Sequence, residues 1–344
     1  MREGYVRKSI SEICDKASSN IAQNKIADIN GDYPVYGASG YVQNVDFYHR
    51  DTDYIGIVKD GSGVGRVNVY PAYSSLLGTM QYIIPKDGYL LGYVAYALKG
   101  LNLSSFASGA AIPHIYFKDY GKCKIDVPPL SEQQRIVNEL DLLSSIIEKK
   151  KAQLKEYDQL AQSIFYDMFG DPVSNEKGWE AKKLGEVYKL KSGDSLSAKQ
   201  FVDGQYPVYG GNGISGYHNA FNMEGNYIII GRVGAYCGNV RNVIGKFWLT
   251  DNAFQLIYDV EQQNPIFVTY VLTYLDLHQY ANHAAQPVIS NITLKEIKIP
   301  YPPLSLQQSF ASKIEAIERL KALVQQSITE AETLFNSRMD FWFS

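Results

Sequence analysis

Pro128-Pro129-Leu130-Ser131-Glu132-Gln133-Gln134 returns 174 residues later as Pro302-Pro303-Leu304-Ser305-Leu306-Gln307-Gln308. Tyr33-Pro34-Val35-Tyr36-Gly37 returns unchanged as Tyr206-Pro207-Val208-Tyr209-Gly210, at an offset of 173. Asp53-Tyr54-Ile55-Gly56-Ile57 corresponds to Asn226-Tyr227-Ile228-Ile229-Ile230, and Ala110-Ala111-Ile112-Pro113 to Ala284-Ala285-Gln286-Pro287. Residues 5–13 correspond to 179–187, with Glu12 opposite Glu186. The 344 residues are therefore two tandem copies of one unit. The period is too long for a solenoid, and each copy has the size of a small domain with an appendage. The copies differ most between these anchors, as expected of like scaffolds that serve unlike targets.

Within each copy the first three quarters read as mixed α/β with many turns. Tyr54-Ile55-Gly56-Ile57-Val58 and Tyr227-Ile228-Ile229-Ile230 have the apolar, β-branched character of buried strands. Each leads into a turn rich in glycine, Gly61-Ser62-Gly63-Val64-Gly65 or Gly231-Arg232-Val233-Gly234. Residues 90–101 and 266–278 read as short helices. Ile125-Asp126-Val127 and Ile297-Lys298-Ile299 read as exit strands closed by the double prolines.

After the prolines the period changes. Ser131 is a suitable N-cap with helix formers behind it. A stripe then steps by four and three through Ile136, Leu140, Leu143, Ile147, Lys150, Leu154, Tyr157, Ala161, Ile164 and Met168. The second copy runs Phe310, Ile314, Ile317, Lys321, Val324, Ile328, Ala331, Phe335, Arg338 and Trp342. Lys150 breaks the first stripe, and Lys321 and Arg338 break the second, whose seam reads as the weaker. A 3.5-residue repeat held this long argues for a coiled-coil seam. Gly170-Asp171-Pro172 stops the first helix. Each helix is expected to span about 38 residues, hence roughly 57 Å. Such a helix needs a partner, and the nearest is its own repeat; oligomerisation is the other use of the seam. The expected fold class is α+β. Two mixed α/β modules, 1–128 and 171–302, are each followed by a long helix, 129–170 and 303–344. The helices pair as an antiparallel coiled coil about a pseudo-two-fold axis.

Composition narrows the function. An apolar fraction of 45% is ordinary for a soluble globular protein. No apolar run approaches the roughly 20 residues of a membrane helix, and Met1-Arg2-Glu3-Gly4-Tyr5 has no apolar signal region, so the expectation is a cytoplasmic protein with no membrane partner. Three cysteines, Cys14, Cys123 and Cys237, form no CxxC pair and indicate neither a disulfide frame nor a zinc site. A net charge of −3 counts mildly against a free-standing nonspecific DNA binder. The 27 tyrosines suit recognition surfaces, although packing on half-buried strands is the plainer explanation for most of them.

No catalytic constellation emerges. The turn at 61–65 lacks the lysine and hydroxyl of a phosphate-binding loop, and Tyr236 stands opposite Gly63, so the glycine pattern is not repeated. The histidines His49, His114, His218, His278 and His283 show no metal-ligand spacing. Two copies of a unit without such a site point to binding rather than catalysis, with no metal.

On these residues the chain resembles the specificity subunit of type I restriction–modification enzymes. The likeness rests on the exit motif Ile125 through Ile136 and its partner at 299–308, the Trp179-x4-Leu184-Gly185-Glu186-Val187 opening, the Tyr-Pro-Val-Tyr-Gly segment and the tandem order. Leu306 in place of Glu132, and Tyr5 in place of the opening tryptophan, depart from the pattern. The resemblance implies two target-recognition domains, each reading one half of a bipartite double-stranded DNA sequence, with paired helices that fix the spacer. It implies methyltransferase subunits bringing S-adenosylmethionine and adenine methylation, motor-nuclease subunits bringing ATP and magnesium, and no catalysis or cofactor in this chain. A methylation-only system, or a two-headed module binding protein or glycan, are the rival readings.

Candidate DNA contacts are polar or basic loop residues that differ between the copies. Lys59, Ser62 and Arg66 flank the glycine-rich turn of module one; Arg232, Tyr236 and Asn239 do so in module two, with Arg232 opposite Lys59. Arginine suits guanine and asparagine suits adenine. Asn212 follows the second Tyr-Pro-Val-Tyr-Gly segment, and Lys189 and Lys191 are candidate phosphate contacts. Lys149-Lys150-Lys151 reads as a solvated helix face or as a surface toward a methyltransferase subunit.

Overall fold

The computed structural model describes residues 3–109, 112–282 and 285–344. Met1, Arg2, His283 and the Ala110-Ala111 and Ala284 parts of the repeat match lie outside the described residues. Two compact units emerge, Met1–Lys151 with Gln326–Ser344, and Ala152–Gln325. Each therefore holds one module, half of the first long helix and half of the second.

In the first unit the buried strand Tyr54–Val58 sits inside an antiparallel sheet of order Cys14–Ser18, Met80–Pro85, Tyr54–Val58, Val67–Tyr70. All five of its residues are buried, as a strand covered on both faces requires. A separate three-stranded sheet joins the hairpin Tyr33–Gly37 and Gly40–Val45 to Ser75–Leu76. In the second unit these two sheets are one, of six strands, because Val240–Leu249 runs unbroken for 10 residues through both regions. Module one breaks the same path at Pro71, which cannot donate to a ladder, and at Tyr73, held at φ 55°. The opening strands Val6–Ser9 and Ala181–Lys183 pair with the exit strands Lys124–Val127 and Lys298–Pro300, so each module closes on itself before its helix begins. The short helices run Leu91–Gly100 and Pro265–Tyr274, the latter continued by a 3-10 turn at Leu277–Tyr280.

The long helices are Leu130–Phe169 and Leu304–Phe343, 40 residues each, slightly longer than expected. Ser131 does not cap the first: the helix starts one residue earlier, and the Pro129 carbonyl accepts from Glu132 and Gln133 N–H. Pro303 does the same for Leu306 and Gln307. Glutamine in the exit motif then locks helix to module. Gln133 and Gln307 are essentially buried. Their Oε1 atoms accept from Leu90 N–H and Asn264 N–H, both at 2.9 Å. Their Nε2 atoms donate to the Pro128 and Pro302 carbonyls at 3.0 and 2.9 Å. A buried carboxamide with both ends satisfied fixes an angle, since either group left alone costs about 1–3 kcal/mol.

Helix pairing is antiparallel inside each unit. In the first, Glu139 binds Arg338 and Lys151 binds Glu332 at 2.8 Å. In the second, Asp158 binds Lys321 at 2.8 Å, while Phe165 and Phe169 pack on Phe310 at 5.7 and 5.3 Å between ring centroids. A carboxylate of the other helix answers Lys321 and Arg338 in turn, the Arg338–Glu139 pair half-buried and Asp158 itself exposed, and such charges favour one register. Of the expected pairing residues, Ile136, Leu140, Ile147, Phe310, Ile314, Ile317, Val324 and Ile328 are buried, and Leu143 and Leu154 half-buried.

Toward the end of the first helix the expected stripe is corrected. Ile164 and Met168 are only half-buried, whereas Phe165 and Phe169 are at 0% and 1% exposure. Here the helix no longer meets only its partner helix; it also meets Phe267 and Tyr274 of module two, at 4.7 Å from Phe169 and 4.9 Å from Phe165. A second contact surface rotates the apolar face. The end of the second helix does the same in the first unit, where Phe343 packs against Tyr93 at 5.4 Å and Phe335 against Tyr96 at 6.2 Å between ring centroids. Each core thus joins one module, its own exit helix and the far end of the other helix. Among the described residues no helix is long and apolar enough to cross a membrane.

Candidate nucleic-acid interface

The turn after each central strand is built by one set of backbone bonds. Val58 N–H donates to Arg66, Gly65 to Val58 and Gly61 to Pro113; the same bonds run from Gly231 to Asn239, Gly238 to Gly231 and Gly234 to Pro287. Glycine is required at Gly65 and Gly238, at φ 87° and 88°, where a Cβ would stand 2.5 Å from Ser104 N or His278 N. At the third glycine the copies part. A Cβ on Gly63 would collide with the Arg66 guanidinium; Tyr236 replaces Gly63 where Asn239 replaces Arg66.

Arg66 is exposed yet stapled down. Its Nη2 donates to the Ala38 carbonyl at 2.9 Å and the Ser62 carbonyl at 3.3 Å, and its Nε to Gly63 at 3.3 Å. Ser62 is exposed at the tip of the turn. Lys59 is half-buried, 4.0 Å from Asp60, and its counterpart Arg232 is half-buried with its guanidinium 5.4 Å over the Phe254 ring. Tyr236 is 59% exposed and Asn239 half-buried. Asn212 is exposed in the hairpin turn of module two. Lys189 and Lys191 lie exposed on an edge strand, Lys189–Ser192, apart from the other candidates.

Two kinds of cavity occur in both modules. One lies between the glycine-rich turn and the 3-10 helix that follows the short helix. In module one it is about 370 Å³ and lined by Arg66, Asn68, Lys99, Asn102 and Ser104. In module two it is about 350 Å³ and lined by Tyr236, Asn239, Thr273, Asp276 and His278. Its first version is cationic; its second carries a carboxylate. The other kind lies at the tip of the Tyr-Pro-Val-Tyr-Gly hairpin and joins Asn212 to the turn that holds Arg232, through Val233. Sequence reading missed Thr250, Asn252 and Gln286, which line it, and Lys99 of the first kind. The available signal was the repeat itself: Thr250 stands opposite Leu77, a polar residue where the other copy has an apolar one.

The turn is braced differently in each module. Residues 60 and 114 form an antiparallel bridge, and so do Val233 and Val288. In the first the side chains Asp60 and His114 hydrogen bond; in the second two valines meet. No nucleophile is assembled nearby. Cys237 Sγ lies 3.5 Å from His278 Nδ1, but that nitrogen also lies 3.0 Å from the Cys237 carbonyl and serves it as donor. Burial pushes the Cys237 thiol above its ordinary value, which keeps it neutral. No group of three or more His, Cys, Asp or Glu able to hold a metal ion occurs among the described residues.

Residues 2–156 and 176–333 each match the family described as "Type I restriction modification DNA specificity domain". The specificity subunit of the type I restriction enzyme EcoprrI from Escherichia coli is 29% identical over 265 residues, covering 72% of this chain and 63% of that protein. The MjaIX specificity subunit of Methanocaldococcus jannaschii is 30% identical over 137 residues, 34% of this chain and 32% of that one. The chain thus spans less than two thirds of the length of these relatives. The crystal structure of the type I restriction–modification S subunit from M. genitalium shares the fold at a TM-score of 0.66 and 18% identity, covering 99% of this chain and 96% of that one. Two family matches, one over each repeat, together span most of the sequence: the chain belongs to the type I restriction modification DNA specificity family and carries two copies of its domain.

Proposed function

We propose that this protein is the sequence-reading subunit of a type I restriction–modification complex, and that each module reads one half of a bipartite DNA target. What carries this is the pairing of an unchanged backbone with changed rim side chains, seen at the glycine-rich turn and at both cavities, in a chain with two copies of a DNA specificity domain. The helices hold the spacer between the half-sites and dock methyltransferase subunits. Their length, about 60 Å at 1.5 Å per residue, exceeds the roughly 34–36 Å between half-sites one DNA turn apart. Leu160 and Leu334, at equivalent positions and 46% and 50% exposed, offer apolar contact to such subunits. Methylation and cleavage belong to the partners, which supply S-adenosylmethionine, ATP and magnesium; this chain binds none of them and is not itself catalytic.

The test is the methylome of a methylation-free host expressing this chain with its methyltransferase subunit. A bipartite motif carrying N6-methyladenine in both halves is the expected result. No modified motif from a soluble, assembled complex would overturn the proposal.

A further inference from the structure

We propose that the hairpin-tip cavity of module two reads an adenine of its half-site through Asn212 and Thr250, and that the homologous cavity of module one reads a thymine methyl through Tyr41 and Val42. This rests on the function proposed above and names residues within it.

The two cavities are the same place in the repeat. Val35 pairs with Gln43 and Tyr36 with Tyr41, with a bulge between Val35 and Tyr36; Val208 pairs with Gly216 and Tyr209 with Ile214, with the bulge at the same point. Both hairpins join a parallel strand, Tyr36 beside Leu76 and Tyr209 beside Leu249. The next residue closes the frame, Leu77 N–H donating to Tyr36 at 2.8 Å and Thr250 N–H to Tyr209 at 2.9 Å. The cavities measure about 680 Å³ in module one and 410 Å³ in module two.

Their linings differ. Leu77 belongs to an apolar cluster with Val35 and Val45, and Tyr41 and Val42 form the outer wall. In module two the corresponding positions are Thr250, Ile214 and Ser215, with Asn212 opposite Ser39. Thr250 is 3% exposed, and its Oγ1 has no hydrogen-bond partner among the described residues. Buried hydroxyls are normally paired; this one, shielded in the structure, gains a partner when its χ1 turns it toward a group in the cavity that Thr250 lines. Three loops converge on this cavity: the hairpin turn, the glycine-rich turn through Val233 and the later loop through Gln286. Convergent loops on a rigid sheet are where binding residues are placed. An arginine adjoins each tip from a different position. Arg66 bonds Ala38, while Arg241 packs against Gly213. A cation kept at one spot from unlike positions suits phosphate neighbours.

The chemistry then selects the bases. A carboxamide pairs with adenine N6 and N7, a hydroxyl supplements either edge, and apolar groups contact the thymine methyl.

The wild-type complex with its methyltransferase, expressed in a methylation-free host, sets the reference motif. Asn212→Ala and Thr250→Val should each relax one adenine position of one half-site, with adenine methylation of targets that carry another base at that position rising about tenfold, and leave the other half-site unchanged. Tyr41→Ala should relax a position in the opposite half. Asn212 and Tyr41 are exposed, so if Thr250→Val fails to assemble these two variants decide. An unchanged motif, relaxation of both variants in the same half, or relaxation at a G·C position would overturn the proposal while the bipartite motif still stood. Absence of any motif from the wild-type complex would instead overturn the function on which it rests.

Discussion

At the start of module one Tyr5 Oη donates to Glu132 at 3.3 Å; at the start of module two Trp179 stands in place of Tyr5, and its indole N–H donates to the Phe169 carbonyl at 2.9 Å. Leu306 stands in place of Glu132 and joins the apolar edge of the second core. The two departures from the sequence pattern are one change made at both ends of a contact. Gly63 with Arg66 becomes Tyr236 with Asn239, and Asp60 with His114 becomes Val233 with Val288. The modules thus keep backbone bonds and exchange side chains in touching pairs. A single exchange at Gly63 or Asp60 would leave a clash or a polar group without its partner, whereas a paired exchange leaves neither.

The largest test of that comparison lies at the helix ends. Phe165→Ala removes a fully buried ring from the second core and should cost about 4 kcal/mol. Its repeat counterpart Met339, only half-buried in the first core, should cost about 2 kcal/mol on the same truncation. Thermal unfolding with hydrogen exchange resolved by unit would show it, and equal losses would mean the two cores are packed alike. Next come the glutamines. Gln133→Ala and Gln307→Ala should each cost about 2–3 kcal/mol, because each strands an N–H and a carbonyl in the same way. A marked inequality in denaturant midpoint would separate clamps that the geometry makes equal.

The cross-helix ion pairs should be worth less. Arg338→Met removes a half-buried guanidinium from Glu139 and should destabilise by about 1–2 kcal/mol, whereas Lys321→Met, facing an Asp158 that is 65% exposed, should lose about 0.5 kcal/mol. High salt should narrow the gap in midpoint between Lys321→Met and wild type. The smallest effect is the paired exchange. Tyr5→Phe should cost about 0.3 kcal/mol, because Glu132 keeps its bonds from Arg135 at 2.8 and 2.7 Å, and less once Glu132 is already Leu. A double-mutant cycle with no coupling would break the claim that these positions changed together.

Sequence alone determined the tandem repeat, the strands at 54–58 and 227–230, the exit strands, both long helices and most of their buried face. These are legible because apolar spacing records which face of an element is covered. It does not record by what. Phe165 and Phe169 escaped the heptad pattern because only tertiary structure brings the short helix of module two against them. Gln133 and Gln307 belong to the repeated exit motif, but their role shows only where the N–H groups of Leu90 and Asn264, each 43 positions away in the chain, lie beside them. The candidate readers were legible as turn residues, but Arg66's commitment to the Ala38 carbonyl and Thr250's unpaired hydroxyl were not. Hydrogen bonds between distant segments depend on angles and separations that only the packed sheets fix, and those decided which polar side chains are spent on the fold and which face the cavities.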